Sequence, residues 1–191
     1  MTSKETGLNT KVTCPNCGVS YEAMLVVKNQ TVDSSSTIFP TSKIVSKEME
    51  IGKKCLIGDF AFVAARKLIM MDGSQISPHA IIGGGGNVTL GKYSVVGFGA
   101  KLFPATDQTS AEFMCEAAPP EKRDVIRGSI ALGEGVYIGS GAVICVSKKC
   151  PNIEIGDNTV VGSLSYIDES LPANIVIHPK IQYTIKKRRM K

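Results

Sequence analysis

A six-residue repeat between Ile51 and Tyr166 constrains the fold more than any other feature of this 191-residue chain. Each unit begins with an aliphatic residue, followed by Gly or another small residue and then by four more positions. Clear examples are Ile51-Gly52, Ile57-Gly58, Ile76-Ser77, Ile82-Gly83, Leu90-Gly91, Val96-Gly97, Leu132-Gly133, Ile138-Gly139, Ile155-Gly156 and Val161-Gly162. A period of six fits neither an amphipathic helix, which repeats roughly every 3.6 residues, nor a long alternating strand.

The repeat predicts an all-β fold, a parallel β-helix in which each six-residue unit forms one flat side. Three sides make one coil, and the coils stack through parallel strand ladders. The aliphatic residue points inward and fills a narrow core, while Gly or Ala fits the corner that follows it. The composition agrees, because the chain has 19 Gly and no Trp, as a thin prism requires.

The repeat also divides the chain into three predicted segments. Residues 1–36 form an N-terminal appendage that contains a Cys-x-x-Cys knuckle and a linker. Residues 37–174 form the β-helix, and residues 175–191 form a short, basic C-terminal arm. The repeat breaks at residues 103–129, which predicts a long loop that leaves the prism and returns to it. Loops of this length are commonly functional, and insertions into repeats often project from the binding face.

Several stretches carry a resemblance to a known family. They are Gln75–Gly86, Val88–Tyr93, Phe103–Asp107, Ile138–Ile144 and Val161–Ser165. With them the chain resembles the hexapeptide-repeat acyltransferases, whose β-helix is left-handed, and more narrowly the sugar O- and N-acetyltransferases of surface-polysaccharide pathways. The resemblance implies a homotrimer with acetyl-CoA in the clefts between subunits. It also implies that the hydroxyl or amine of a sugar acceptor attacks the thioester directly.

The resemblance points to Asp107 and His79 as catalytic residues. Asp107 stands where the family commonly has its catalytic His. A carboxylate with an ordinary pKa of about 4 is a poor base for a sugar hydroxyl, which favours an amine acceptor unless burial between subunits changes the carboxylate. His79 is the rival base, and stacking of successive coils is expected to bring it near Asp107. A surface histidine is the alternative interpretation of His79.

The same resemblance assigns the binding residues. The expected contacts with acetyl-CoA are the backbone around Ser140, Gly141, Ala142, Gly162 and Ser163, together with the basic side chains of Lys187 and Arg188. The expected contacts with the sugar substrate are Gly84, Gly85 and Thr106. The glycine run fits two interpretations equally, since glycine permits either close approach by a ligand or unusual dihedral angles at a corner.

The cysteines do not predict a metal site. Cys14 and Cys17 have the spacing of a zinc knuckle, but a structural zinc site needs four ligands. The only other close pair is Cys145 and Cys150, which lies inside the late repeats, so the spacing favours free thiols over zinc. The six cysteines are scattered, and this predicts a reduced, cytoplasmic protein.

Charge and hydropathy limit the kinds of partner that the protein is expected to bind. No stretch is long and apolar enough to predict membrane insertion, and the first residues lack the apolar core of a signal sequence. The net charge is +5, and the basic residues 186–191 favour a phosphate-bearing partner such as CoA rather than nucleic acid, or simply a solvated terminus.

A different class of function remains open. The chain has Asp168-Glu169 where the family often has Thr-Lys, which places negative charge beside the expected CoA phosphates. Together with the missing catalytic His, this supports a non-catalytic trimeric β-helix scaffold as the alternative to an acetyltransferase.

Overall fold

The strands are short and regularly spaced along the chain. The computed structural model describes residues 8–13 and 20–180. In chain order the strands are β1 Leu8–Thr13, β2 Ser20–Val32, β3 Thr37–Ile38, β4 Lys43–Ile51, β5 Leu56–Ile57, β6 Phe62–Met70, β7 Gln75–Ile76, β8 Ile81–Ile82, β9 Asn87–Leu90, β10 Val95–Val96, β11 Lys101–Phe103, β12 Ala105–Asp107, β13 Val125–Arg127, β14 Ser129–Leu132, β15 Tyr137–Ile138, β16 Val143–Cys145, β17 Asn152–Ile155, β18 Val160–Val161, β19 Tyr166–Ile167 and β20 Val176–Ile177. One turn of 3₁₀ helix covers Pro120–Lys122.

The coils build three faces; in the early coils β4 and β6 each run across two faces, and from β7 onward the faces are formed by separate strands. The coil that runs through β7, β8 and β9 turns a corner after each strand and then starts the next coil with β10. Strand β7 pairs in parallel with β5 and β10, β8 with β6 and β11, and β9 with β6 and β14. The coils stack into a solenoid of about 8 turns, which confirms the predicted left-handed parallel β-helix.

The core consists of columns of aliphatic side chains that stack from coil to coil. One column follows the register Val63↔Ile82, Ile82↔Leu102, Leu102↔Ile144 and Ile144↔Ile167. Of these side chains, Ile82, Leu102 and Ile144 are completely buried. These are the first positions of the six-residue units. The repeat therefore exists because every inward position must fill the same narrow cross-section with a similar volume.

Two of the three edges of the prism matter for the site. The His79 edge joins the β7-type strands to the β8-type strands through Gly58–Ala61, Ser77–Ala80, Gly97–Ala100, Gly139–Ala142 and Gly162–Ser165. The loop edge joins the β8-type strands to the β9-type strands. It contains the corner Gly83–Gly86, the loop of residues 104–128 and a second insertion, residues 146–151.

The parallel ladder extends toward both ends of the chain. Strand β2 lies within the segment predicted as an N-terminal appendage, and it pairs in parallel with β4 from Met24↔Lys43 to Val32↔Ile51. Strand β1 adds to β2 in an antiparallel orientation. At the other end β20 pairs in parallel with β18, so the ladder continues into the segment predicted as a C-terminal arm. The described residues include no helix with the length and apolar character needed to cross a bilayer.

Candidate functional site

The glycine run is explained by the loop that passes over it. Gly84 has a φ of +97°, and a Cβ atom there would lie 2.5 Å from the carbonyl oxygen of Ala105. At Gly86 a Cβ atom would collide with the backbone oxygens of Pro104 and Gly128. The corner therefore has to be bare because the loop leaves and returns across it. This is the corner interpretation of the run, and a role of Gly84 and Gly85 in substrate binding stays a prediction.

Asp107 is held at the base of the loop by Arg123, a residue that the sequence did not single out. Strands β12 and β13 pair antiparallel, with Asp107 opposite Val125, so the side chain of Arg123 lies near that of Asp107. The Nε and Nη2 atoms of Arg123 both donate to Oδ1 of Asp107, at 3.1 and 2.8 Å. The two side chains are only 25% (Asp107) and 15% (Arg123) exposed. No described residue donates to Oδ2, which leaves that oxygen as a hydrogen-bond acceptor for a ligand.

A second ion pair docks the loop onto the second insertion. Nζ of Lys148 donates to Oδ2 of Asp124 at 2.8 Å. This hydrogen bond is the main reason that the pKa of Asp124 lies below its ordinary value, with a smaller contribution from Ser110. Because Asp124 is adjacent to Arg123, the contact also braces the segment that positions Asp107.

Thr106, predicted to bind substrate, lies beside Cys145 of the next coil, and Cys145 in turn contacts Tyr166. The hydroxyl of Thr106 donates to the carbonyl oxygen of Asp107 at 3.3 Å. Burial raises the pKa of the Cys145 thiol, although hydrogen bonds with Thr106 and Tyr166 act in the opposite direction. Burial is also the main cause that raises the pKa of Tyr166. The thiol is therefore protonated at neutral pH and is poorly suited to act as a nucleophile.

His79 occupies the His79 edge and stacks on an aromatic ring of the preceding coil. The rings of His79 and Phe60 are 5.2 Å apart between centroids and inclined by 17°. Both residues have left-handed backbone angles, with φ of 60° and 57°. In the next coil the register places Gly99 over His79, because Ile81 pairs with Lys101. Stacking of coils therefore does not bring His79 to Asp107 within one chain, and that part of the sequence interpretation is wrong.

The residues predicted to bind CoA continue the His79 edge on later coils. Ser140, Gly141 and Ala142 form one corner, and Gly162 and Ser163 belong to the corner above it. The two corners contact each other directly, since the backbone N–H of Leu164 donates to the carbonyl oxygen of Ser140 at 3.1 Å. A Cβ atom on Gly141 would lie 2.9 Å from Cδ2 of Leu164, so glycine keeps this edge narrow. The edge thus collects His79 and the predicted CoA contacts, whereas Asp107 lies on the loop edge.

Four of the predicted site residues lie outside the described residues. They are Cys14 and Cys17 of the knuckle and Lys187 and Arg188 of the basic arm. Within residues 8–13 and 20–180 no three His, Cys, Asp or Glu side chains come together in an arrangement that would hold a metal ion.

Comparison with known proteins identifies relatives among acetyltransferases. The chain is 27% identical over 136 residues to the colanic acid biosynthesis acetyltransferase WcaF of Escherichia coli K12, and equally to WcaF of Shigella flexneri. The match covers 71% of this chain and 59% of WcaF, so the chain spans about three fifths of the length of these curated relatives. No protein-family profile matches the chain.

Solved structures share the fold over most of the chain. AntD, an N-acyltransferase from Bacillus cereus in complex with dTDP and 3-hydroxybutyryl-CoA, matches with a TM-score of 0.69 and 24% identity over 83% of this chain and 84% of AntD. The chain also matches a variant of AntD in which a serine is replaced by alanine, with the same TM-score and 25% identity, over 82% of this chain and 84% of AntD. That structure is a complex with dTDP-4-amino-4,6-dideoxyglucose and coenzyme A. With WcaF, these matches confirm the predicted resemblance to the hexapeptide-repeat acyltransferases.

Proposed function

We propose that this chain is a hexapeptide-repeat acyltransferase, and that it transfers an acetyl group from acetyl-CoA to a sugar in the biosynthesis of a surface polysaccharide. Two facts support the proposal. The relatives with a named activity are acetyl- or acyltransferases, and structures of one of them contain CoA and a nucleotide-linked amino sugar. The observation that carries it is Asp107, a partly buried carboxylate that is fixed by Arg123 at the base of the loop and has one oxygen open.

The geometry of Asp107 favours an amine as the acceptor. When an amine attacks the thioester carbonyl, a C–N bond forms, the C–S bond breaks and the nitrogen becomes positively charged. An adjacent carboxylate stabilises that charge and orients the amine through a hydrogen bond to Oδ2. The nitrogen then gives up its proton to the departing CoA sulfur, which leaves as the thiol. A sugar hydroxyl needs its proton removed during the attack, which demands a stronger base. We therefore place a nucleotide-linked amino sugar ahead of a glycan hydroxyl.

We further propose that the active site forms between copies of the chain in a homotrimer. His79 and the predicted CoA contacts lie on one edge of the prism, and Asp107 lies on another. The two sets act on one substrate only if the loop edge of one subunit faces the His79 edge of its neighbour. The backbone at Gly141 and Gly162, which the sequence predicts to contact CoA, then borders the cleft between the two subunits.

The first experiment is calorimetric titration with acetyl-CoA, followed by an assay that detects the released CoA thiol in the presence of an amino-sugar nucleotide. We expect one acetyl-CoA per subunit and turnover with the amino sugar that exceeds turnover with the corresponding hydroxyl sugar. Absence of binding at millimolar acetyl-CoA would contradict the proposal and leave the non-catalytic scaffold as the function.

A second experiment tests the shared site. Asp107→Asn and His79→Asn are each expected to lower turnover, and Asn tolerates the left-handed backbone at position 79. If the two residues belong to different subunits of one cleft, unfolding and reassembling the two variants together at equal amounts restores activity in about a quarter of the clefts. Failure to restore any activity, with both variants forming trimers, would contradict a site that combines His79 and Asp107 from neighbouring subunits.

A further inference from the structure

A cleft on the loop edge is lined by two arginines, two asparagines, a serine and three glycines. We propose that this cleft, named here the Arg66–Arg127 cleft, binds a diphosphate group. We further propose that the group is the diphosphate of a nucleotide-linked acceptor. The inference rests on the proposed function and names its substrate class more closely.

The backbone of the glycine corner places both arginines at the cleft. Arg127 ends β13, where the loop returns, and its Nη1 atom donates to the carbonyl oxygen of Gly84 at 3.0 Å. Arg66 lies on the preceding coil, and its backbone N–H donates to the carbonyl oxygen of Gly86 at 2.8 Å. Both arginines therefore line the cleft beside Gly85 and Gly86, and a Cβ atom on Gly85 would lie 3.5 Å from Nη1 of Arg127.

The floor of the cleft is a short ladder of polar side chains. Asn87, Ser129 and Asn152 are register neighbours on three successive coils, in β9, β14 and β17. The hydroxyl of Ser129 donates to Oδ1 of Asn152 at 2.9 Å, which orients the amide so that its Nδ2–H groups are available as donors. Such donors next to arginines suit the oxygens of phosphate esters.

The charges around the cleft are unbalanced, in contrast to the rest of the loop edge. Nζ of Lys67 lies 3.1 Å from Oε1 of Glu50. Arg123 likewise forms an ion pair with Asp107, and Lys148 forms one with Asp124. Arg66 and Arg127 have no carboxylate within ion-pair distance in the described part of the chain. Two unneutralised arginines that line one cleft attract an anion, and the planar donors of a guanidinium group match phosphate oxygens in pairs.

The size and place of the cleft decide which diphosphate it takes. Its volume is about 180 Å³, which accommodates a diphosphate group but not a whole sugar nucleotide. Both a sugar nucleotide and CoA contain a diphosphate. The residues predicted to hold CoA lie on the His79 edge of the same chain, whereas the cleft shares the loop edge with Asp107. The acceptor is therefore the better source.

The test is calorimetric titration of the full chain with dTDP, UDP and CoA. The variants are R66Q and R127Q, with K92Q as the control because Lys92 is an exposed cation on the third edge. We expect each arginine variant to weaken binding of dTDP or UDP about tenfold, since each loses a charge-assisted hydrogen bond. We expect K92Q to bind like the wild type, and CoA binding to stay within about twofold in all three variants.

Three results would overturn the inference. They are a wild-type chain that binds neither nucleoside diphosphate, arginine variants that bind it as the wild type does, or arginine variants that lose CoA binding instead, which would assign the cleft to CoA. Failure of the proposed function is seen separately, as absence of CoA binding by the wild type. The side chain of Arg66 forms no hydrogen bond with a described residue, so R66Q tests the cleft even if R127Q melts at a lower temperature.

Discussion

The coils and the loop that leaves them are stabilised by opposite kinds of interaction. In the coils, aliphatic side chains such as Ile82, Leu102 and Ile144 are completely buried and stack in register. From residue 106 to residue 128 no residue is buried, and the loop is held by the pairs Arg123–Asp107, Lys122–Glu112 and Lys148–Asp124.

This difference separates stability from chemistry. A buried aliphatic column raises the free energy of unfolding through the apolar area that it removes from water. It offers no group that reacts with a substrate. Partly exposed ion pairs contribute little to stability, but they orient charged groups for a ligand. Substitutions in the coils should therefore change the free energy of unfolding, and substitutions in the loop should change turnover.

The largest expected effect is on a coil. Ile138→Ala removes a completely buried side chain that lies between Val96 and Val161, and it should lower the free energy of unfolding by about 3 kcal/mol through lost burial and a cavity. Val45→Ala, at a half-exposed position of β4, is the control and should cost less than about 1 kcal/mol. Denaturant unfolding measures both, and equal losses would show that the coil columns are not the source of stability.

The next effect is confined to the loop. Asp107→Asn keeps the shape of the side chain but removes its charge, and it should lower kcat about a hundredfold with a melting temperature unchanged within about 2 °C. Asp124→Asn is the matched control, because it neutralises the other paired aspartate of the loop at a more exposed position. It should keep turnover within about threefold. Equal losses of turnover in the two variants would mean that these charges serve only to hold the loop against the coils.

A smaller effect is expected at the junction of coil and loop. Gly84→Ala places a Cβ atom against the backbone of Ala105 at a φ of +97°, and it should cost about 2 kcal/mol and displace the loop. Gly99→Ala also lies at a positive φ, +63°, but a Cβ atom there meets nothing within 4 Å, so it should cost about 1 kcal/mol. Thermal unfolding measures the loss of stability in both variants. Equal losses would show that the contact with the backbone of Ala105 is not the reason for glycine at position 84.

The smallest effect depends on pH. Because the pKa of Asp124 is lowered in the folded protein, its pair with Lys148 contributes stability above the ordinary aspartate pKa. That contribution is lost as the pH falls through the lowered value. Protection of residues 108–124 from hydrogen exchange, corrected for intrinsic rates, should fall about twofold between pH 6 and pH 3. Lys148→Gln should remove the pH dependence, and its persistence in that variant would assign it to another group.

The sequence predicted the coils well and the loop poorly, for a physical reason. Every inward position of a coil fills the same space, so Ile76, Ile82 and Leu90 could be assigned from the repeat. The glycine corner and the position of the loop were visible as breaks in that repeat. The pairing of Asp107 with Arg123 has no periodic signal, because it depends on how β12 and β13 fold back on each other.

The error about His79 has a different source. Residues stack when they are one coil apart, and here the coil length at His79 is set by the pairing of Ile81 with Lys101. Asp107 lies eight positions beyond Gly99, the residue that does stack over His79, and so it falls past the next strand. The spacing of the two residues in the sequence already contained this signal.

One contact at the loop edge has a consequence for how such proteins diversify. The backbone N–H of Gly128 donates to the carbonyl oxygen of Pro104 at 2.8 Å, and β14 then pairs with β9 in register, Ile130 over Val88. Because Pro104 and Gly128 are in direct contact, the coil continues across them as if the segment between them were absent. Evolution can therefore lengthen, shorten or replace that segment without changing the register of the prism. The coils and the segment between Pro104 and Gly128 can therefore vary independently, because the coils require only that this one backbone contact is kept.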